Sequence, residues 1–179
     1  MRLDQYNKGS YGPGAPFWKQ ILWYVVGDWL VCSRYLPFSN LKVWILRMFG
    51  ARIGMGVRIK TGVQIKFPWR LSIGDYSWIG ERVWIDNLAT VDIGAHCCIS
   101  QSAYLCTGSH NWSKSTFDLI TKPIVIKDHV WIAAKAIIGP GVTVGEGAVL
   151  GLGSTVLEDL LPWSIYMGNS AVQVKKRKV

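Results

Sequence analysis

An all-β parallel β-helix of hexapeptide repeats is the fold this sequence predicts, preceded by a short helical segment and interrupted by one projecting loop. Three observations lead there. From Ile53 onward an aliphatic residue recurs at every sixth position; the count restarts after a two-residue excess at Ile73 and Ile93; and between His110 and Pro123 it stops, to resume at Ile126. A period of six belongs neither to an α-helix nor to an ordinary alternating strand, whereas a fixed hexad marks a parallel β-helix. The chain then divides into an aromatic-rich helical segment (1–52), the β-helix (53–170, with the loop at 108–123) and a basic tail (171–179).

The first segment is the least regular. Residues Phe17–Leu36 are very apolar, yet Lys19, Gln20, Asp28 and Arg34 interrupt them. A spanning helix wants about 20 apolar residues without a central carboxylate. Two readings stay open for residues 17–36: a helix packed on the protein or a neighbouring subunit, or a helix at a membrane interface with its tryptophans near the headgroups. A second helix is expected over Asn40–Phe49, with Asn40 as N-cap and Gly50 as its stop. The N-terminus "MRLDQYNKGSYGPG" has no apolar core of a signal peptide, so a cytoplasmic protein is expected.

The repeat itself runs Ile53, Ile59, Ile65, Leu71; then Ile73, Ile79, Ile85, Val91; then Ile93, Ile99, Leu105; and finally Ile126, Ile132, Ile138, Val144, Leu150, Val156. Each hexad supplies one short strand and one turn, and three hexads close one triangular coil whose aliphatics stack inward. From Ile93 to Ile126 is 33 residues, one 20-residue coil and 13 more. A narrow aliphatic stack has no room for them, so they must project at a corner. His110 stands at the base of that projection, with its side chain free to face a groove.

Composition narrows the function. Half of the 179 residues are apolar and ten are tryptophan, so the chain is not disordered. The net charge of +9 is gathered in the first third and the tail, which suits an anionic ligand or membrane surface. Nucleic-acid binding is not expected, because the aromatics are not interleaved with the basic residues. Cys32, Cys97, Cys98 and Cys106 form no zinc-ligand spacing, and no metal is expected. His96 and His129 occupy equivalent outward positions and are expected to be solvated.

The hexads, together with "YLCTGSH", "KPIVIKDHVWIAAKAIIGPGVTVGEGAVLGLGSTV" and "MGNSAV", resemble the left-handed β-helix of the hexapeptide-repeat acyltransferases, in the branch of sugar, maltose and galactoside O-acetyltransferases. "LKVWILRMFGARIG", "PWRLSIGDYSWIG" and "IGAHCCISQSAYLCTGSH" resemble the acetyltransferases of colanic-acid-type exopolysaccharide biosynthesis. The resemblance covers nearly the whole chain and supplies the handedness, which the spacing alone does not show.

The resemblance implies an acetyl-CoA-dependent O-acetyltransferase that works on a hydroxyl of a sugar or lipid-linked saccharide, as a homotrimer with active sites between subunits. The general base maps onto His110, a side chain suited to proton transfer near neutrality. The family's backbone oxyanion donor maps onto Ala134, where "WIAA" replaces the usual "WIG" pattern. An asparagine that assists the acceptor or the histidine maps onto Asn87, with Asp86 one residue away. Coenzyme A would run beside Trp131 and the small residues Gly151, Leu152 and Gly153, and its phosphates would meet Lys175, Lys176 and Arg177. Cys106 is the nearest alternative nucleophile, but direct attack in a ternary complex is expected. Two other readings stand beside this one: an N-acetyltransferase acting on an amino-sugar nucleotide, and a non-catalytic scaffold at a membrane surface.

Overall fold

A computed structural model of the chain, in which residues 1–178 are described, closes the hexads into a triangular prism. Face one holds the strands Arg52–Ile53, Leu71–Ile73, Val91–Ile93, Ile124–Ile126 and Thr143–Val144. Face two holds Arg58–Ile59, Trp78–Ile79, Cys98–Ile99, Trp131–Ile132, Val149–Leu150 and Ser164–Met167. Face three holds Gln64–Ile65, Trp84–Asp86, Tyr104–Cys106, Ile137–Ile138 and Thr155–Val156. All these strands pair in parallel, each with its equivalent one coil away.

The register shows where the coil length changes. Arg52 pairs with Ser72 and Ser72 with Asp92, but Asp92 pairs with Val125 and Val125 with Thr143. Coils before the loop are thus 20 residues long and the coil after it is 18. Two edges keep a constant length throughout. All the variation falls on the edge from face three to face one: Ile65 to Ile73 and Ile85 to Ile93 are eight residues, Leu105 to Ile126 is 21, and Ile138 to Val144 is six.

The repeated aliphatics form the core. Ile59, Ile79, Ile99, Ile132 and Leu150 lie one above another on face two, each at most 1 % exposed. Truncating one of them leaves a cavity that its stacked neighbours cannot fill, because the coils above and below fix their positions. Ile99→Ala is expected to lose about 2–5 kcal/mol of unfolding free energy in a denaturant titration.

Each turn along the two edges of constant length places its residue three after the inward aliphatic in the left-handed region. Along the edge between faces one and two that column is Gly56, Tyr76, His96, His129, Gly147 and Trp163, with φ between 53° and 65°. His96 and His129 are outward, as their phase predicts, but they are not simply solvated. Their rings stack at 5.3 Å and 7°, between Tyr76 at 5.5 Å from His96 and Trp163 at 6.4 Å from His129.

The N-terminal segment covers one end of the prism and part of face three. An α-helix (Phe17–Leu22), a π-helical turn (Trp23–Gly27) and a further α-helical turn (Asp28–Cys32) run as one rod. Buried Trp23 anchors it, its Nε1 donating to Ile65 O at 3.1 Å. A second helix, Ser39–Met48, caps the open end and buries Val43, Ile45 and Leu46. It begins one residue before the expected Asn40, and no side chain caps it. The Ser39 hydroxyl is instead engaged by Ile59 N–H at 2.7 Å, tying the helix to the first coil. Gly50, at φ 95°, ends it as expected.

The tail is not a separate unit. Val172–Lys176 adds an antiparallel strand to Ser164–Met167, extending face two. Beyond it Arg177 is held by bonds of 2.9 Å to the carbonyls of His129 and Gly147, so the boundary drawn at 170 from the sequence is not a structural one.

Candidate active site

Face three and its variable edge carry the chemistry. Within Trp84–Asp86 the strand alternates, so Ile85 points into the core while Trp84 and Asp86 point out. Trp84 stacks on Tyr104 of the next coil with ring centroids 4.6 Å apart. The Tyr104 hydroxyl donates to Asp86 Oδ2 at 3.1 Å. Burial pushes the Tyr104 phenol above its ordinary value, and hydrogen bonding to Cys106 and the charge of Asp86 add to the shift, so it stays a donor at neutral pH.

The helical rod lies across the first coils of this face and leaves a cavity of about 180 Å³, lined by Trp23, Tyr24, Asp28, Lys66, Trp84 and Asp86. Burial raises the Asp28 carboxyl from its usual range. Lys66 Nζ lies 3.1 Å from Asp86 Oδ1 as an ion pair, without the alignment of a hydrogen bond. Oδ1 of Asp86 is therefore the one buried side-chain oxygen or nitrogen with no hydrogen-bond partner among the described residues. Such an oxygen is costly to leave unpaired, and beside an aromatic wall it can accept from a ligand hydroxyl.

Asn87, the expected acceptor residue, points elsewhere. It is fully buried, its Oδ1 accepting from Phe67 N–H at 2.9 Å and its Nδ2 donating to Phe67 O at 2.7 Å. Both ends of the amide are thus spent on the backbone of the coil before, at the corner. The structure gives Asn87 a clamp's geometry and leaves Asp86 as the member of the pair that faces the cavity.

His110 sits at the same end of face three. Asp86 pairs with Cys106, and the chain then turns through buried Thr107 into a hairpin of Gly108–His110 against Leu119–Thr121. The imidazole lies flat on Phe117, 4.1 Å away at 5°, with Nδ1 3.0 Å from Phe117 O. A carbonyl can only accept, so Nδ1 carries the proton and Nε2 is left with a free lone pair. Phe117 holds φ at 49°, the left-handed region that a bulky residue seldom adopts, and this turns its carbonyl toward the ring. On the other side Tyr6 stands 5.8 Å from the imidazole, and the N-terminal strap is tied to the hairpin by Leu119 N–H to Asn7 O and Arg2 N–H to Ser115 O. Cys106 donates its thiol to Gly108 O at 3.2 Å and does not meet the histidine.

The expected donor-side residues gather at a different edge. Ala134 lies at the corner between faces two and three, and Gly153 N–H bonds to its carbonyl at 2.9 Å, which stacks Gly151, Leu152 and Gly153 on it one coil later. The Ala134 N–H has no acceptor within the chain among the described residues. Gly153 holds φ at 64° with open space where a side chain would stand, while Leu152 is 75 % exposed. Trp131 projects from face two, its indole N–H donating to Ser100 Oγ at 2.9 Å. Lys175 and Lys176 lie on the added strand of the same face. Ala134 and His110 therefore flank face three at its opposite ends, separated by one side of the prism, a hexad at about 3.3 Å per residue or roughly 15–20 Å. A single chain does not bring them together.

Tyr104 and Lys66 were missed in the sequence and Asp86 was named only as the neighbour of Asn87, although the phase of the hexads held the signal: an inward Ile85 forces Asp86 outward. Nothing in the sequence pointed to Phe117 or Tyr6. No group of three or more His, Cys, Asp or Glu among the described residues is arranged to hold a metal ion.

A hexad prism with a histidine-bearing loop on one edge defines a class of acyl-transfer enzymes, and comparison places the chain within it. Residues 123–158 match the family model for the bacterial transferase hexapeptide (six repeats). Over 170 residues the chain is 39 % identical to WcaF of Escherichia coli (strain K12), a protein named for colanic acid biosynthesis as an acetyltransferase, covering 95 % of this chain and 92 % of that one. A hexapeptide-repeat acetyltransferase of Vibrio cholerae O1 biovar eltor, crystallised with acetyl coenzyme A, superposes with a TM-score of 0.83 at 26 % identity over the full length of both chains. A galactoside acetyltransferase in complex with coenzyme A shares the fold, with a TM-score of 0.80 at 20 % identity over 89 % of this chain and 81 % of that one. The chain belongs to the hexapeptide-repeat acetyltransferase family and is an acyltransferase.

Proposed function

We propose that the chain transfers the acetyl group of acetyl-CoA to a hydroxyl of a sugar or lipid-linked oligosaccharide in exopolysaccharide assembly, in the cytoplasm. The observation that carries the acceptor side is Asp86: a carboxylate whose Oδ1 is ion-paired to Lys66 but makes no hydrogen bond, lining a cavity walled by Trp84 and next to the edge that bears His110. A sugar fits such a site because its hydroxyls satisfy the carboxylate while its apolar C–H face packs on the indole. The acceptor relationship to colanic-acid-type polysaccharide is supported by the 39 % identical relative.

In this reading the acceptor hydroxyl approaches Nε2 of His110. As its oxygen attacks the thioester carbonyl, the C–O bond forms and the hydroxyl proton passes to Nε2; the resulting imidazolium is steadied by Phe117 O at Nδ1. The oxyanion is met by the free N–H of Ala134. Collapse of the intermediate breaks the C–S bond, and the thiolate recovers the proton from His110 to leave as coenzyme A. Because His110 and Ala134 flank opposite ends of face three, the site is completed when a neighbouring prism supplies the second of them, and a homotrimer meets that need. Trp131 and the Gly151, Leu152, Gly153 corner would then line the pantetheine channel, with Lys175 and Lys176 toward the phosphates. Arg177 is already bound to backbone carbonyls and contributes charge rather than a free donor fork.

Thermal unfolding with and without acetyl-CoA tests the donor. At about 100 times its dissociation constant a ligand stabilises the native state by about 2.7 kcal/mol, a rise of roughly 5–10 °C for a chain of this size. A panel of sugar alcohols and amino sugars, followed by release of free thiol, then separates hydroxyl from amine acceptors. No rise at millimolar acetyl-CoA, or turnover with amines alone, would overturn the assignment.

A further inference from the structure

The helical rod 17–32 is built the wrong way round for a helix that ends in water. Its inward stripe is Trp23, Gly27, Leu30 and Val31. Its two charged residues are both half-buried: Lys19 Nζ lies 5.5 Å over the Trp69 ring, and Asp28 lines the cavity beneath the rod and, with Val25 and Trp29, a second pocket beside it. The outer face carries no fully exposed charge. Phe17, Trp18, Ile21, Val25 and Trp29 stand exposed there, Trp18 at 66 % and Trp29 at 69 %, and the adjoining helix Ser39–Met48 adds Trp44. A run of large apolar side chains on two neighbouring helices exceeds the scattered hydrophobics of an ordinary surface and calls for a partner.

Charge identifies that partner. Residues 1–60 carry nine Lys or Arg against Asp4 and Asp28 alone, and Asp28 is half-buried. Arg34 is exposed just beyond the rod, and Arg47 on the adjoining helix, its guanidinium bonded to the carbonyls of Ile53 and Gly54; Arg52 and Arg58 are exposed on faces one and two of the first coil. The remaining chain is also net positive, with eleven Lys or Arg against nine Asp or Glu, so another copy would bring more positive than negative charge to this end. The required partner is apolar within and negative at its rim, which describes an anionic lipid bilayer. No helix among the described residues is long and apolar enough to cross a membrane, so the rod would lie on the surface, with its tryptophans at headgroup depth.

We infer that residues 17–32, together with Trp44, dock this protein on the surface of an anionic bilayer, with Arg34 and the positive surplus of residues 1–60 drawn to the headgroups. This inference does not rest on the acetyl-transfer reading. Docking would leave face three and its cavity at the edge of the membrane, where a lipid-linked acceptor is presented.

Co-sedimentation of the full chain with phosphatidylcholine vesicles, with or without about one-third phosphatidylglycerol, tests it. The expected result is at least about tenfold stronger partition onto the anionic vesicles, weakening as salt rises from about 0.05 to 0.5 M. Vesicles should also shift the tryptophan emission of the parent protein to shorter wavelength. The double variant Trp18→Asp, Val25→Asp should lose at least about tenfold in partition, while its elution volume and its thermal response to acetyl-CoA stay as in the parent. Failure of the parent to bind either vesicle would sink the inference. A variant that elutes as a smaller species would do so too, because the face would then be a contact between subunits.

Discussion

His110→Ala is expected to lower kcat by about 10²–10⁴ while leaving the unfolding midpoint and the response to acetyl-CoA intact. The structure separates these effects because the imidazole is half-buried in a projecting hairpin, outside the aliphatic stack. Its loss removes a base without opening a core cavity. The ring is held on two counts, by the parallel Phe117 ring at 4.1 Å and by the carbonyl at Nδ1, and the second fixes which nitrogen is free. Steady-state kinetics on the best acceptor checks the expectation. A variant within a factor of about three of the parent would remove His110 from the chemistry and return the scaffold reading to consideration.

Asn87→Ala should do the reverse. The change strands the N–H and the C=O of Phe67 in a buried corner, at about 1–3 kcal/mol for each group. The sum, roughly 2–6 kcal/mol, corresponds to a fall of about 4–24 °C in midpoint for a chain of this length. Below that midpoint, kcat per folded enzyme should change by less than about threefold. A large loss of kcat with an unchanged midpoint would instead make Asn87 part of the acceptor site and contradict the clamp geometry.

Those two residues also show how far the sequence could be read. The prism was legible because each inward aliphatic is a local fact: the count of six predicts Ile59, Ile79 and Ile99 in one column without any knowledge of the rest. His110 was legible for the same reason, since an interruption shows most clearly in a regular count. At Asn87 the resemblance and the geometry point different ways, because a resemblance aligns neighbours within a residue or so, whereas strand alternation tolerates no such slip; one step separates outward Asp86 from Asn87, whose amide clamps Phe67. The partners of His110 were illegible altogether. Phe117 reaches it through an irregular turn, and Tyr6 across more than a hundred residues of chain, so no period connects them. The strand in the tail was illegible because it depends on a vacant edge at Ser164–Met167 that exists only once the prism is closed.

The constancy of two edges and the freedom of the third divide this molecule's capacity to change. The corner at Ala134 and Gly153 is locked by the hexad, since an added residue there would rotate every later strand out of phase. The corner that carries Pro68–Arg70, Leu88 and the His110 hairpin has already absorbed two, then fifteen, extra residues without disturbing the coils on either side. A lineage or a designer wishing to present a different saccharide to the same acetyl donor would therefore lengthen, shorten or rewrite one edge, and inherit the other two unaltered.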